Sequence, residues 1–399
     1  LDPSLAFREL AATHFVADKA VRFDARSGAG ELRWARHTER VRIGFSKTDR
    51  MLERAAANEF PPDYDADPAL PFALSFVGPR TVRLRIAARA GALRDEPSPM
   101  LVGPVPRDAG WKAREDARGV VYEGPHGSVT VARNPWRIEL RDARGRLLTS
   151  TQHPRDVESY SYTVPFSFVR RPQDARRFMA ATLSLAPGER IYGGGESFTR
   201  LDKRGQKLVL WTADGMGVES QRMYKPVPFF LSSRGYGAFV HTSAPVTLDV
   251  GHGLDEHNVI YVGDDVVDLF FFFGRPDEVL GAYTALTGRA SLPPLWSFGL
   301  WMSRITYRSD AEVRDVAAKL RALRIPSDVI HLDTGWFEEN WRCNYAFSKT
   351  RFPQPEKLLS DLRRQGFRVS LWQLPYYGPK NEMFRKVVDG GYAVRAPDG

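Results

Sequence analysis

WSFGLWMSRITYRSDAEVRDVAAKLRALRIPSDVIHLDTGW, residues 296–336, is where the grammar of the chain changes. SFGLWMS (297–303) reads as a strand. Ser309 with Glu312 then makes a capping-box pattern, pairing a hydroxyl and a carboxylate that satisfy free N–H groups at a helix start. Val313, Val316, Ala317, Leu320 and Leu323 follow on one helical stripe. SDVIHLD (327–333) is a second strand. The unit then repeats: Pro355 opens a helix with Leu358, Leu359 and Leu362, and FRVSLWQLP (367–375) is a third strand. Strands that alternate with helices pair in parallel, because each crossover returns the chain to the same end of the sheet.

Upstream the pattern differs. From about residue 20 to 275, short β-rich runs are separated by Gly, Pro, Asn and Asp, the pattern of a sandwich. TVRLRIAARAG (81–91) alternates apolar and polar, and SVTVARN, WRIELRD and GRLLTST between 128 and 151 predict an antiparallel meander. GYGAFVHTS (235–243) and NVIYVG (258–263) continue the style, while DLFFFFG (268–274) suits a strand buried on both faces. RPDEVLGAYTALTG predicts a short helix with Pro276 near its start, and the double proline of SLPPLW separates that helix from the strand at 297–303. The expected fold is therefore multidomain, β and α/β. An N-terminal β-sandwich with a short linking helix occupies residues 1–289, and a parallel α/β unit occupies 290–399; in the (β/α)8 version of that architecture it is an incomplete TIM barrel that continues beyond this chain. Three strands of eight leave a long unpaired edge, a known aggregation liability.

Bulk composition narrows the function. The chain has 399 residues, 43% of them hydrophobic, enough for a sizeable core. The net charge of +9 raises the question of nucleic acid, yet arginine is scattered and the densest run, VRRPQDARR (169–177), reads as a solvated loop with no binding motif. No apolar window is long enough to span a membrane. One cysteine, Cys343, excludes an internal disulfide framework and favours a reducing bacterial cytoplasm, although a leader removed ahead of Leu1 stays open. No cofactor or metal is implied: His331 has no second ligand at chelating spacing and reads as a satisfied core histidine.

In a (β/α)8 architecture the chemistry gathers at the carboxyl ends of strands. That places Trp301, Ser303 and Arg304 after the first strand, Asp333 and Trp336 after the second, and Trp372 and Gln373 late in the third. Aromatic rings with a carboxylate are what a sugar demands, since pyranose C–H faces pack on rings while hydroxyls need charged acceptors. Composition alone equally allows structural tryptophans and an aspartate that merely ends a turn.

WSFGLWMS (296–303), HLDTGW (331–336), FPQP (352–355) and LWQLPY (371–376) together resemble the start of the catalytic barrel of glycoside hydrolase family 31. IYGGGESF (191–198), Gly205 with Gln206, WTAD (211–214) and YKPVPFFLSSRGYGAFV (224–240) resemble that family's N-terminal sandwich, so the likeness covers roughly residues 185–399. It implies a retaining α-glycosidase acting on terminal α-linked xylose or glucose, with an oligosaccharide or glycoside as partner. It further implies that both catalytic carboxylates lie on later strands, so no residue here is the nucleophile or the acid. Asp333 matches the strand-two aspartate that accepts sugar hydroxyls, and Trp372 matches the pocket tryptophan, with Trp301 and Trp336 completing the wall. Asp214 matches a sandwich-loop residue that reaches the leaving sugar. Thr334 and Gly335 are small and leave room beside Asp333. Arg304 either points inward or pairs at the rim with Glu338 or Glu339. Transglycosylation, a non-catalytic carbohydrate-binding fragment and homo-oligomerisation stay open.

Overall fold

The computed structural model describes residues 1–396 apart from 10–11, 44–47, 55–63, 65, 96, 117–118, 153–163, 216–219, 223 and 340. The chain divides into two compact units, Leu1–Arg289 and Ala290–Gly399.

In the first unit two antiparallel sheets face each other. The smaller runs in plain chain order through Lys112–Asp116, Gly119–Gly124, Gly127–Arg133, Trp136–Asp142 and Leu147–Ser150, so each strand pairs with its sequence neighbour. Val129, Val131, Trp136, Ile138 and Leu140 occur at every second position, and this period of two turns them all inward. They meet Phe72, Leu84 and Ile86 from the larger sheet, with Trp136 edge-on to Phe72 at 6.2 Å.

The phenylalanine run forms Val266–Phe273, hydrogen-bonded on one side to Thr81–Ala87 and on the other to Tyr236–Val240. Leu269, Phe271 and Phe273 enter the core between the sheets. Phe270 and Phe272 point the other way and are covered by Val279 and Leu286 of helix α1 (Pro276–Thr287). Both faces are buried because the helix caps the outer one. Each such ring contributes about 1.5–3 kcal/mol relative to exposure.

The second unit carries three parallel strands, Trp301–Arg304, Val329–Leu332 and Arg368–Leu371, side by side in chain order. Helices α2 (Asp310–Ala322) and α3 (Pro355–Arg364) lie between them in sequence and share a core of Val313, Val316, Ala317, Leu320, Leu358 and Leu362 with Ile330 and Leu332. Arg314 ties the two helices together by reaching both Asp310 and Asp361.

Three expectations need correction. The first strand is shorter than 297–303, because the chain leaves Pro293 and Pro294 in a single 3-10 turn, Leu295–Phe298, and pairing starts only at Trp301. Leu323 drops off the helical stripe: it is the C-cap, and Arg324 beyond it turns left-handed at φ 54°. The capping box is half made, since Ser309 Oγ accepts from Glu312 N–H at 3.1 Å but the Glu312 carboxylate accepts from Arg308 N–H instead.

Candidate functional site

Strand register decides which side chains share a face. Ser303, His331 and Ser370 are paired neighbours across the three strands and form one polar row. His331 Nδ1 lies 3.1 Å from Ser370 Oγ. Asp333 follows two residues later on the same side of the second strand, with Oδ2 3.9 Å from His331 Nε2. The ladder continues one step past the third strand, where Trp372 N–H donates to Leu332 C=O at 2.8 Å, so Asp333 and Trp372 leave the sheet at one level. Both sit at its carboxyl end.

Asp333 is also the cap of a 3-10 turn, Thr334–Trp336: its Oδ1 accepts from Thr334 N–H at 2.7 Å. One oxygen is thereby committed to the backbone and the other faces His331. Thr334 and Gly335 do not leave the room that their size suggests, because the segment after the first strand fills it. A Cβ on Gly335 would stand 2.4 Å from Thr306 Cγ2 and 2.9 Å from Tyr307 O, and Thr334 Oγ1 lies 3.2 Å from Thr306 Oγ1.

The tryptophans take three different places. Trp372 is half-buried, with Phe337 edge-on at 6.4 Å on one side and Trp341 edge-on at 5.2 Å on the other. Trp336 is only 3% exposed; its indole N–H donates to Trp372 C=O at 2.7 Å and its ring packs on Phe337 and Phe347. Its indole is turned to the Trp372 backbone and its ring is buried. Trp301 opens its strand rather than closing it. In register with Val329, it lies four residues, about 13 Å, from the level of Asp333. There its indole N–H is spent on Ser297 C=O, and its ring stacks at 6.2 Å with Trp296.

Trp341, absent from the residues singled out by sequence, is 66% exposed beside Trp372 and sits at φ 68°. An aromatic in the polar run FEENWRCN was the available signal. Arg304 pairs neither with Glu338 nor with Glu339. Its Nη1 donates to Glu312 on α2 at 2.6 Å and its guanidinium lies over the Tyr307 ring. Glu338 binds Lys349 N–H and Thr350 Oγ1, and Glu339 binds Arg342. Ser303 and Gln373 are exposed. Asp214 belongs to the first unit, where it accepts from Tyr224 Oη at 2.7 Å and thereby pushes that phenol's pKa up.

Two family models match the chain: the glycosyl hydrolase 31 N-terminal galactose mutarotase-like domain over residues 71–249, and the glycosyl hydrolases family 31 TIM-barrel domain over 290–399. Among curated proteins, alpha-xylosidase XylQ of Lactiplantibacillus pentosus is 34% identical over 64% of this chain and 33% of its own length. Alpha-glucosidase 2 of Bacillus thermoamyloliquefaciens is 29% identical over 66% of this chain and 32% of its own. The chain thus spans about a third of the length of these relatives. A Flavobacterium johnsoniae GH31 dextranase solved with isomaltotriose superposes at a TM-score of 0.70, with 21% identity, over 94% of this chain and 41% of that one. The two models match in order and meet the two compact units on either side of residue 290, and on that ground the chain belongs to glycoside hydrolase family 31.

Proposed function

We propose that this chain supplies the sugar-binding part of a retaining α-glycoside hydrolase that acts on terminal α-linked xylose or glucose. The observation that carries the reading is Asp333, held by its own turn at the carboxyl end of a parallel strand and level with Trp372. A carboxylate fixed this way accepts sugar hydroxyls in one orientation, and such charged hydrogen bonds contribute about 1.5–3 kcal/mol each. Trp372 and Trp341 offer the ring faces and His331 a second polar edge. The three parallel strands are read as the opening of a (β/α)8 barrel, whose carboxyl face is where such enzymes work.

Chemistry of this class splits one displacement into two, through attack by one carboxylate and protonation by another roughly 5 Å away. Neither role falls to a residue of this chain. Asp333 orients the sugar, and Asp214 carries only the leaving-sugar role that the resemblance implies. An oligosaccharide is the partner. Among the described residues no helix is long and apolar enough to cross a membrane, and a cytoplasmic location rests on the single cysteine alone.

Asp333→Asn in the complete natural polypeptide tests the reading, with aryl α-xyloside and aryl α-glucoside as substrates. Losing a charged acceptor should lower kcat/KM at least about tenfold. Unchanged kinetics on both substrates would remove Asp333 from the site.

A further inference from the structure

Asp333 sits on a turn, and a turn of three residues does not hold itself. Two of its hydrogen bonds are long: Trp336 N–H reaches Asp333 C=O at 3.2 Å and Phe337 N–H reaches Thr334 C=O at 3.4 Å. The remaining carbonyls point toward a later segment of the same unit. There the half-buried Arg351 donates from Nε to Gly335 C=O at 2.9 Å, and from Nη2 to both Phe337 C=O and Glu338 C=O. One guanidinium therefore gathers three carbonyl oxygens from the five residues that follow Asp333.

The anchor itself is fixed. Arg351 N–H donates to Ser348 Oγ at 3.2 Å, and Arg351 C=O accepts from Asp310 N–H, at the first residue of α2, at 2.9 Å. The clasp is reciprocal, because Glu338 reaches back to Lys349 N–H at 2.9 Å and Thr350 Oγ1 at 3.2 Å. The turn passes the constraint on in two directions. Gly335 is pressed against Thr306 and Tyr307, and the Trp336 indole fixes Trp372 C=O.

We infer that Arg351 is a positioning residue for the sugar site: it sets the turn that aims Asp333 and seats Trp372, without touching the sugar itself. The inference rests on the reading of Asp333 as the sugar-binding carboxylate. Shape makes the role specific to arginine. A forked, planar cation meets carbonyls spread along a turn, whereas the single nitrogen of a lysine cannot reach all three together. Misplacement of a binding group on the scale of an ångström costs far more than its lost contacts suggest.

The test is a double-mutant cycle of Arg351→Ala and Asp333→Asn in the complete natural polypeptide, followed by kcat and KM on an aryl α-glycoside. Arg351→Ala should lower kcat/KM roughly ten- to a hundredfold, with circular dichroism unchanged. Arg351→Lys should recover little of the loss, and added guanidinium ion should restore the alanine variant better than ammonium ion does. In the double variant the two losses should fall short of additive, because a misaimed aspartate has less to lose. Additive losses, full activity in Arg351→Lys, or equal rescue of the alanine variant by ammonium and guanidinium ions would make Arg351 a stabilising residue and overturn the inference. Unaffected kinetics in Asp333→Asn would instead refute the functional reading, which separates the two failures.

Discussion

Gly335 occupies a position that a methyl group cannot enter, because Thr306 Cγ2 and Tyr307 O already stand within 3 Å of where it would go. Gly335→Ala should therefore push the Asp333 turn away from the segment after the first strand, at a cost of about 1–3 kcal/mol. The checks are a lowered thermal midpoint together with a reduced kcat/KM; full activity at an unchanged midpoint would show that the turn yields freely. The same residue shows how far single positions were legible. Its size was visible in the sequence, but what used that size was not, since the neighbour lies 29 residues earlier in the chain. Trp336 and Trp341 are a similar case. Residue type put Trp336 near a sugar and left Trp341 unnoticed, yet Trp336 is buried with its indole N–H on Trp372 C=O and Trp341 is exposed on a left-handed turn, neither of which leaves a periodic trace.

Elements were read well where period and composition agreed. Val129 to Arg133 and Trp136 to Asp142 alternate, so strand and facing came together. The phenylalanine strand was legible as buried on both faces, but its polar member was not. Asp268 lies among the phenylalanines, accepting from Arg83 Nε and Nη2 at 2.8 and 2.7 Å, while its Oδ2 lies 2.8 Å from His241 Nδ1. His241 Nε2 in turn lies 2.8 Å from Ser98 Oγ, which ties the loop at Ser98 to the sheet. Burial by itself pushes the Asp268 carboxyl up; the hydrogen bonds from Arg83 and His241 outweigh it and hold the pKa below the ordinary carboxylate value. A depressed folded pKa means stability that is present above the ordinary aspartate value, about 4, and lost as pH falls through the lower folded value. Asp268→Asn keeps the shape and strips the charge, leaving Arg83 buried with, among the described residues, the exposed Asp95 as its remaining anionic neighbour. At neutral pH it should cost about 3–5 kcal/mol. The difference from wild type should begin to shrink as pH falls below about 4 and go on shrinking through the lower folded value, beneath which the wild-type carboxyl is protonated as well. Thermal midpoints from pH 7 downward check this, and a gap independent of pH would mean that the carboxylate's charge is not what holds the loop.

At the scale of the molecule, the change of grammar near residue 290 was plain, while the order of strands in the larger sheet was not. Thr81–Ala87 pairs with Val266–Phe273, and no local signal joins segments so far apart in the chain. The two units also differ in how completely they cover themselves. Within Leu1–Arg289 the core between the sheets draws on both, and α1 covers the outer phenylalanines, so that unit carries its own apolar burial. The three parallel strands of the second unit have helices behind them, but among the described residues the first and third strands have no outer partner. Leu295, Phe298 and Ile305 near the first edge are exposed. Unpaired strand edges beside exposed apolar side chains recruit other chains. Expressed separately, residues 1–289 should give a monomer that unfolds in one cooperative transition, and residues 290–399 should self-associate. Sedimentation and thermal melts of the two fragments decide it. A monomeric, cooperatively melting 290–399 fragment would show that α2, α3 and three short strands suffice as a folding unit. Self-association relieved by adding apolar-to-polar changes at Leu295 and Phe298 would trace the liability to that edge.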